Sequence, residues 1–94
     1  MARSILQDKK YCYICGTTQN LHRHHIFYGS ANRKLSEADG CVVYLCQAHH
    51  TGARGVHFNK KLDLSLKMKC EQAYLKQNNK TIDDFIQRYG KNYL

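Results

Sequence analysis

Apolar residues recur along this chain in two rhythms, and the change of rhythm divides it. From Leu62 to Lys76, the residues Leu62, Leu66, Cys70, Ala73 and Tyr74 return at helical spacing with lysines between them, which predicts a helix with one buried stripe. A second helix is predicted after Thr81. Thr81-Ile82-Asp83-Asp84 offers a capping side chain followed by first-turn acids, Ile82, Phe85, Ile86 and Tyr89 share one face, and Gly90 is placed to stop it. Upstream, the rhythm is that of strands. Cys41 to Leu45 is β-branched and aromatic, and Leu21 to Tyr28 alternates imperfectly while carrying histidines. Between them Gly29-Ser30-Ala31-Asn32 reads as a turn, and Arg33 to Gly40 holds a short helical turn from Lys34 to Ala38. A helix begins near Gln47 and is kept short by Gly52 and Gly55.

The predicted elements make an α+β fold, and 94 residues allow one domain, 1–94. Within it, residues 1–10 read as a loose polar lead-in, 11–59 as the core with its chemistry, and 61–90 as a helical C-terminal part. A chain this short buries only about 60–65% of its unfolded surface, so a metal, disulfides or self-association are expected to support the core. No run approaches the length of a membrane span, and the first ten residues lack the apolar stretch of a signal peptide. The expectation is a cytoplasmic protein with no membrane partner. Fifteen Lys+Arg against seven Asp+Glu give a net charge of +8, which points to a polyanion. Arg33, Lys34, Arg54, Lys60, Lys61, Lys67 and Lys69 are the candidate phosphate contacts.

Five cysteines cannot all pair within one chain, and a reducing compartment favours metal over disulfide. Cys12-Tyr-Ile-Cys15, followed by Gly16, and Cys46-Gln-Ala-His49 are two pairs with two residues between partners. Together they offer four soft ligands, the number a closed tetrahedral zinc site needs. Cys41 and Cys70 fall on apolar stretches and are read as core.

His22, His24, His25, His50 and His57 remain. On a strand, His24 and His25 point to opposite faces, so one can ligate an ion while its neighbour addresses a water. His50 follows His49 and is fixed by whatever fixes that residue. Imidazoles beside a cation suit phosphodiester hydrolysis, where one group activates water and the ion neutralises developing charge. The same residues also suit a second structural metal cluster or a solvated surface, and His57 suits a phosphate contact as well as ligation.

The string C-x2-C, His-His-Ile, Leu-Cys-x2-His-His resembles the HNH (ββα-metal, or His-Me finger) endonucleases, and in particular small phage-type members with a built-in zinc knuckle. The likeness runs from Cys12 to about Asn59, and the tail also resembles that of small phage and prophage proteins. It implies a zinc-stabilised, treble-clef-like ββα-metal core with two C-terminal helices. It further implies His25 as general base, His24 and His50 as ligands of one catalytic divalent ion, and His22 as an assisting group; His22 or His57 is the candidate for a further ligand of that ion. Cys12, Cys15, Cys46 and His49 would hold structural zinc only, and the partner would be DNA, cut to leave 5′-phosphate and 3′-hydroxyl ends in a bacterial or phage-infected cell. The family's middle Asn is absent; Cys41 stands in its place. The first ligand is His where Asp is common, which favours Mn, Ni or Zn over Mg. The competing expectation is a non-catalytic zinc module that binds nucleic acid or a protein partner. A homodimer, or a phage or host protein partner, is compatible with either.

Overall fold

The computed structural model describes residues 3–94. Two antiparallel strands and four helices follow in the order β1 (Leu21–His25), α1 (Ser30–Asp39), β2 (Val42–Cys46), α2 (Gln47–His50), α3 (Lys60–Asn78) and α4 (Ile82–Tyr89). The strands pair Leu21 with Cys46, His24 with Val43 and His25 with Val42. The architecture is the expected α+β, with α3 and α4 forming the C-terminal part.

β1 stops at His25, short of the predicted Tyr28, because the backbone changes partner. Ile26 N–H still reaches Cys41 O at 2.9 Å. At Phe27, N–H donates to Ser36 Oγ (3.2 Å) and the carbonyl accepts from the same hydroxyl (2.7 Å). A buried serine on α1 therefore replaces the next rung of the ladder. α1 is longer than its sequence suggested and absorbs Ser30, Ala31 and Asn32. Those small polar residues look like a turn locally, but Asn32 Nδ2 donates to Tyr89 O at 3.1 Å and ties this first turn to α4. α3 runs two residues beyond the predicted helix at each end, started by Asn59 Oδ1 accepting from Leu62 N–H and ended by Asn79 in the left-handed region. α4 has the predicted capping box, Thr81 with Asp84, and ends at Gly90.

The core is aromatic. Phe27 packs 5.1 Å from Phe85 and 4.6 Å from Tyr89, centroid to centroid, and Phe85 stacks on Tyr89 at 4.8 Å. Cys41 and Cys70 are fully buried here, as expected for core thiols. On α4 only half of the predicted face is interior: Phe85 and Tyr89 are buried, while Ile82 and Ile86 are exposed.

The lead-in is the main departure. Residues 1 and 2 lie outside the described residues, but Ser4 to Gln7 lie along the free edge of β2. Ser4 Oγ donates to Val42 O, Ile5 N–H to Gly40 O (2.9 Å), and Gln7 Oε1 accepts from Tyr44 N–H (2.7 Å). Tyr13 N–H takes Tyr44 O at 2.9 Å. An edge strand leaves every second peptide group facing outward, and these contacts meet them. Gly40 admits the segment. Its φ is +74°, and a Cβ there would lie 2.1 Å from the Arg3 carbonyl oxygen. No helix of the described residues is long and apolar enough to cross a membrane.

Candidate metal centres

The first centre forms where the loop before β1 meets the β2–α2 junction. Cys12 N–H donates to Thr17 O and Gly16 N–H to Cys12 O, both at 2.8 Å, a tight turn that Gly16 completes at φ +81°. β2 ends at Cys46, and one turn of α2 brings His49 back to it. The ligand atoms of Cys12, Cys15, Cys46 and His49 all lie within 4.8 Å of one another. The Cys15 and Cys46 sulfurs are 3.8 Å apart, and His49 Nδ1 is 3.8 Å from Cys12 Sγ and 3.3 Å from Cys46 Sγ. A tetrahedron with metal–sulfur bonds of ~2.3 Å has edges of about 3.8 Å, so the donors stand where one ion would need them. Burial would raise the Cys12 thiol, but backbone N–H groups from Cys46, Cys15 and Ile14 outweigh it and bring the pKa down to about 6. That shift favours the thiolate, the ligating form, at Cys12.

The second centre uses one face of β1. With a period of two, His22 and His24 point one way and Arg23 and His25 the other. His24 meets His50 and His57, and one nitrogen of each lies within 4.8 Å of the others. His57 Nε2 is 3.2 Å from His50 Nε2. His24 is 3% exposed, and its Nε2 is buried without a hydrogen-bond partner. Such a nitrogen is costly unless a cation or donor meets it. Burial first, then His50 and His57, hold the His24 pKa down to about 3; burial and the neighbouring His57 and His22 also lower that of His50. The neutral form favoured at His24 and His50 is the one that ligates a metal ion.

His22 has a different place from His57. Its Nδ1 lies 2.9 Å from His50 Nδ1. If His50 donates Nδ1–H to His22, its Nε2 is left as a lone pair toward His24 and His57, the usual way an outer partner orients a ligand. Of the two candidates for a further ligand, His57 therefore joins the cluster and His22 braces it.

His25 belongs to a separate network. Its Nε2 is 3.1 Å from Glu37 Oε1 on α1. Glu37 in turn accepts from Arg23 through both oxygens, Nε at 3.1 Å and Nη2, and Arg23 Nη1 reaches Tyr44 OH at 3.4 Å. The Arg23 hydrogen bonds hold the Glu37 carboxyl down to about 2, so it is ionised beside His25. Although the networks leave opposite faces of β1, His24, His25, His50 and His57 line one groove with Arg23, Tyr28 and Arg33, about 270 Å³ in volume.

The basic candidates divide. Arg33 and Lys34 line this groove or the adjoining one. Arg54, Lys60, Lys61 and Lys69 are exposed, with Lys61 and Lys69 beside Leu64 and Met68 in another concavity. Lys67 is already engaged: its ammonium pairs with Asp63 at 2.8 Å and sits 4.2 Å from the Tyr28 ring centroid. Glu37 was missed by sequence reasoning, because no local pattern marks an acid on α1 as the partner of a histidine twelve residues earlier. The chain matches no family model, no curated protein and no solved structure.

Proposed function

We propose that the protein is a metal-dependent DNA endonuclease of the HNH kind, with a treble-clef-like ββα-metal core. The observation that carries this reading is the groove in which a three-nitrogen cluster with an unpartnered His24 Nε2 sits beside His25, itself held by an ionised carboxylate. The knuckle ahead of β1, the antiparallel pairing of β1 with β2 and the short α2 directly after β2 support the same assignment, with α1 inserted between the strands. The four-donor centre fits zinc in a structural role. His24, His50 and His57 fit one divalent ion, and their nitrogen donors favour Mn, Ni or Zn over Mg. When bound there, the ion supplies positive charge to the phosphate and the leaving 3′ oxygen.

His25 acts as general base. With Nε2–H turned to Glu37, Nδ1 carries the lone pair and takes the proton from the attacking water. The imidazolium so formed keeps its Nε2–H on a carboxylate that is already charged, which stabilises it. Arg23 fixes that carboxylate, so the pair Glu37–Arg23 does for His25 what the absent middle Asn does in the family.

The test is supercoiled plasmid incubated with protein and one divalent ion at a time, for wild type and His25→Ala. Nicking by the wild type, with turnover lower by ~10²–10⁴-fold in the variant, is expected. Equal rates for the two proteins, or no cleavage with any ion, would remove the nuclease reading in favour of the non-catalytic metal module.

A further inference from the structure

We propose that the phosphodiester backbone of the substrate runs beyond the histidine groove into a second basic concavity, built by the N-terminal segment and joined to the groove through Arg23. The inference rests on the nuclease reading only in taking the ligand to be a polynucleotide. The concavity, about 280 Å³, is lined by Arg3, Lys9, Lys10, Arg23 and Tyr44, with Asp8 as the one acid. Arg3, Lys9 and Lys10 are exposed. They stand on backbone that Ile5 and Gln7 fix against Gly40 and Tyr44, and Gln7 Nε2 further donates to Tyr11 O at 2.8 Å. Lys10 Nζ lies 5.4 Å from the Tyr44 ring centroid. These are cations on an ordered support, so holding phosphates in place costs less chain entropy than a loose arm would.

The concavities are linked by shared walls. Arg23 lines the N-terminal one and the histidine groove; His25 and Arg33 line the groove and the next hollow, which adds Lys34. Cations thus flank the histidines on both sides. A single phosphate would use one such position, whereas a polyanion with evenly repeated charges uses the row. Lys76, Lys80 and Lys91 line none of these three concavities.

The experiment compares two variants with the same loss of charge: Arg3→Gln/Lys9→Gln/Lys10→Gln, and Lys76→Gln/Lys80→Gln/Lys91→Gln, three exposed lysines of the C-terminal part. Binding of labelled duplex DNA is followed by fluorescence anisotropy across salt concentrations, with melting curves as the fold check and Lys9→Glu alone as a milder probe. The N-terminal triple should flatten the log–log salt slope by about 2–3, at ~0.9 per phosphate contact, and Lys9→Glu should weaken binding in the same direction. The triple at Lys76, Lys80 and Lys91 should keep the wild-type slope. Equal effects from both triples, an unchanged N-terminal triple, or no binding by the wild type overturns the proposal. So does a triple that loses phosphatidylserine vesicles while keeping DNA. Plasmid cleavage separates the two readings. If His25→Ala cuts at the wild-type rate while the N-terminal triple still loses slope, the nuclease reading falls and the track stands.

Discussion

Cys12, Cys15, Cys46 and His49 offer three sulfurs and a nitrogen; His24, His50 and His57 offer three nitrogens. The two clusters are joined by the His49–His50 peptide bond, yet they differ in what they leave over. The first has four donors at tetrahedral spacing, so an ion there has no position free for substrate. The second has three donors at the wall of an open groove, so an ion there keeps positions for phosphate or water. The first is built from two tight turns and needs little else. The second needs a strand face, the far end of α2 and the loop before α3 to converge. Adjacent residues can therefore serve a closed centre that supports the fold and an open one that handles a ligand.

The largest expected difference comes from removing one donor on each side. Cys12→Ser or Cys46→Ser should lose the cooperative melt, because structural zinc contributes on the order of 10 kcal/mol, comparable to the stability of a small domain. Circular dichroism and bound-metal analysis check this; a native melt would make the two clusters equivalent. His24→Ala should stay folded and bind an ion at the cysteines while losing a second ion and, with it, the cleavage proposed above. Unchanged metal stoichiometry in that variant would break the distinction from the other side. His22→Ala sharpens it: with only the brace of His50 removed, ion affinity in the groove should fall ~10–100-fold, read by titrating activity against metal concentration.

The smallest effect lies outside both clusters and calibrates them. Glu71 is fully buried, with Oε1 accepting from Tyr93 N–H at 2.7 Å and Oε2 unpartnered. Burial raises its pKa above the ordinary 4.5. The folded state then holds the proton more tightly than the unfolded one, so its contribution is present below pH 4.5 and is lost as pH rises through the raised value. Glu71→Gln should therefore raise the urea midpoint at pH 7 and lose that advantage near pH 4.5, with no change in bound metal.

The closed centre was legible in the sequence because two short spacings carry it: Cys12 with Cys15 and Cys46 with His49 are each set by a single turn. β2, α3 and α4 were legible from periodicity. The open centre was only half legible. The period of two placed His24 apart from His25, but choosing His57 over His22 required the course of residues 51–59. Glu37 was invisible because its role depends on α1 packing beside β1. Ser4 and Gln7 were invisible for a related reason: their partners are peptide groups of β2, and a peptide group has no sequence signature.

That seam along β2 bears on how the molecule behaves among its own copies. Outward-facing peptide groups on a strand are an invitation to another chain, and here Ser4, Ile5, Gln7 and Tyr13 occupy the places an incoming strand would take at Gly40, Val42 and Tyr44. The protection passes over one residue without a side chain. Adding a methyl group at Gly40 would place it 2.1 Å from the Arg3 carbonyl oxygen and push the segment away. Gly40→Ala would then expose a pairing edge, and its cost would appear as concentration-dependent association, seen in light scattering as the protein is concentrated.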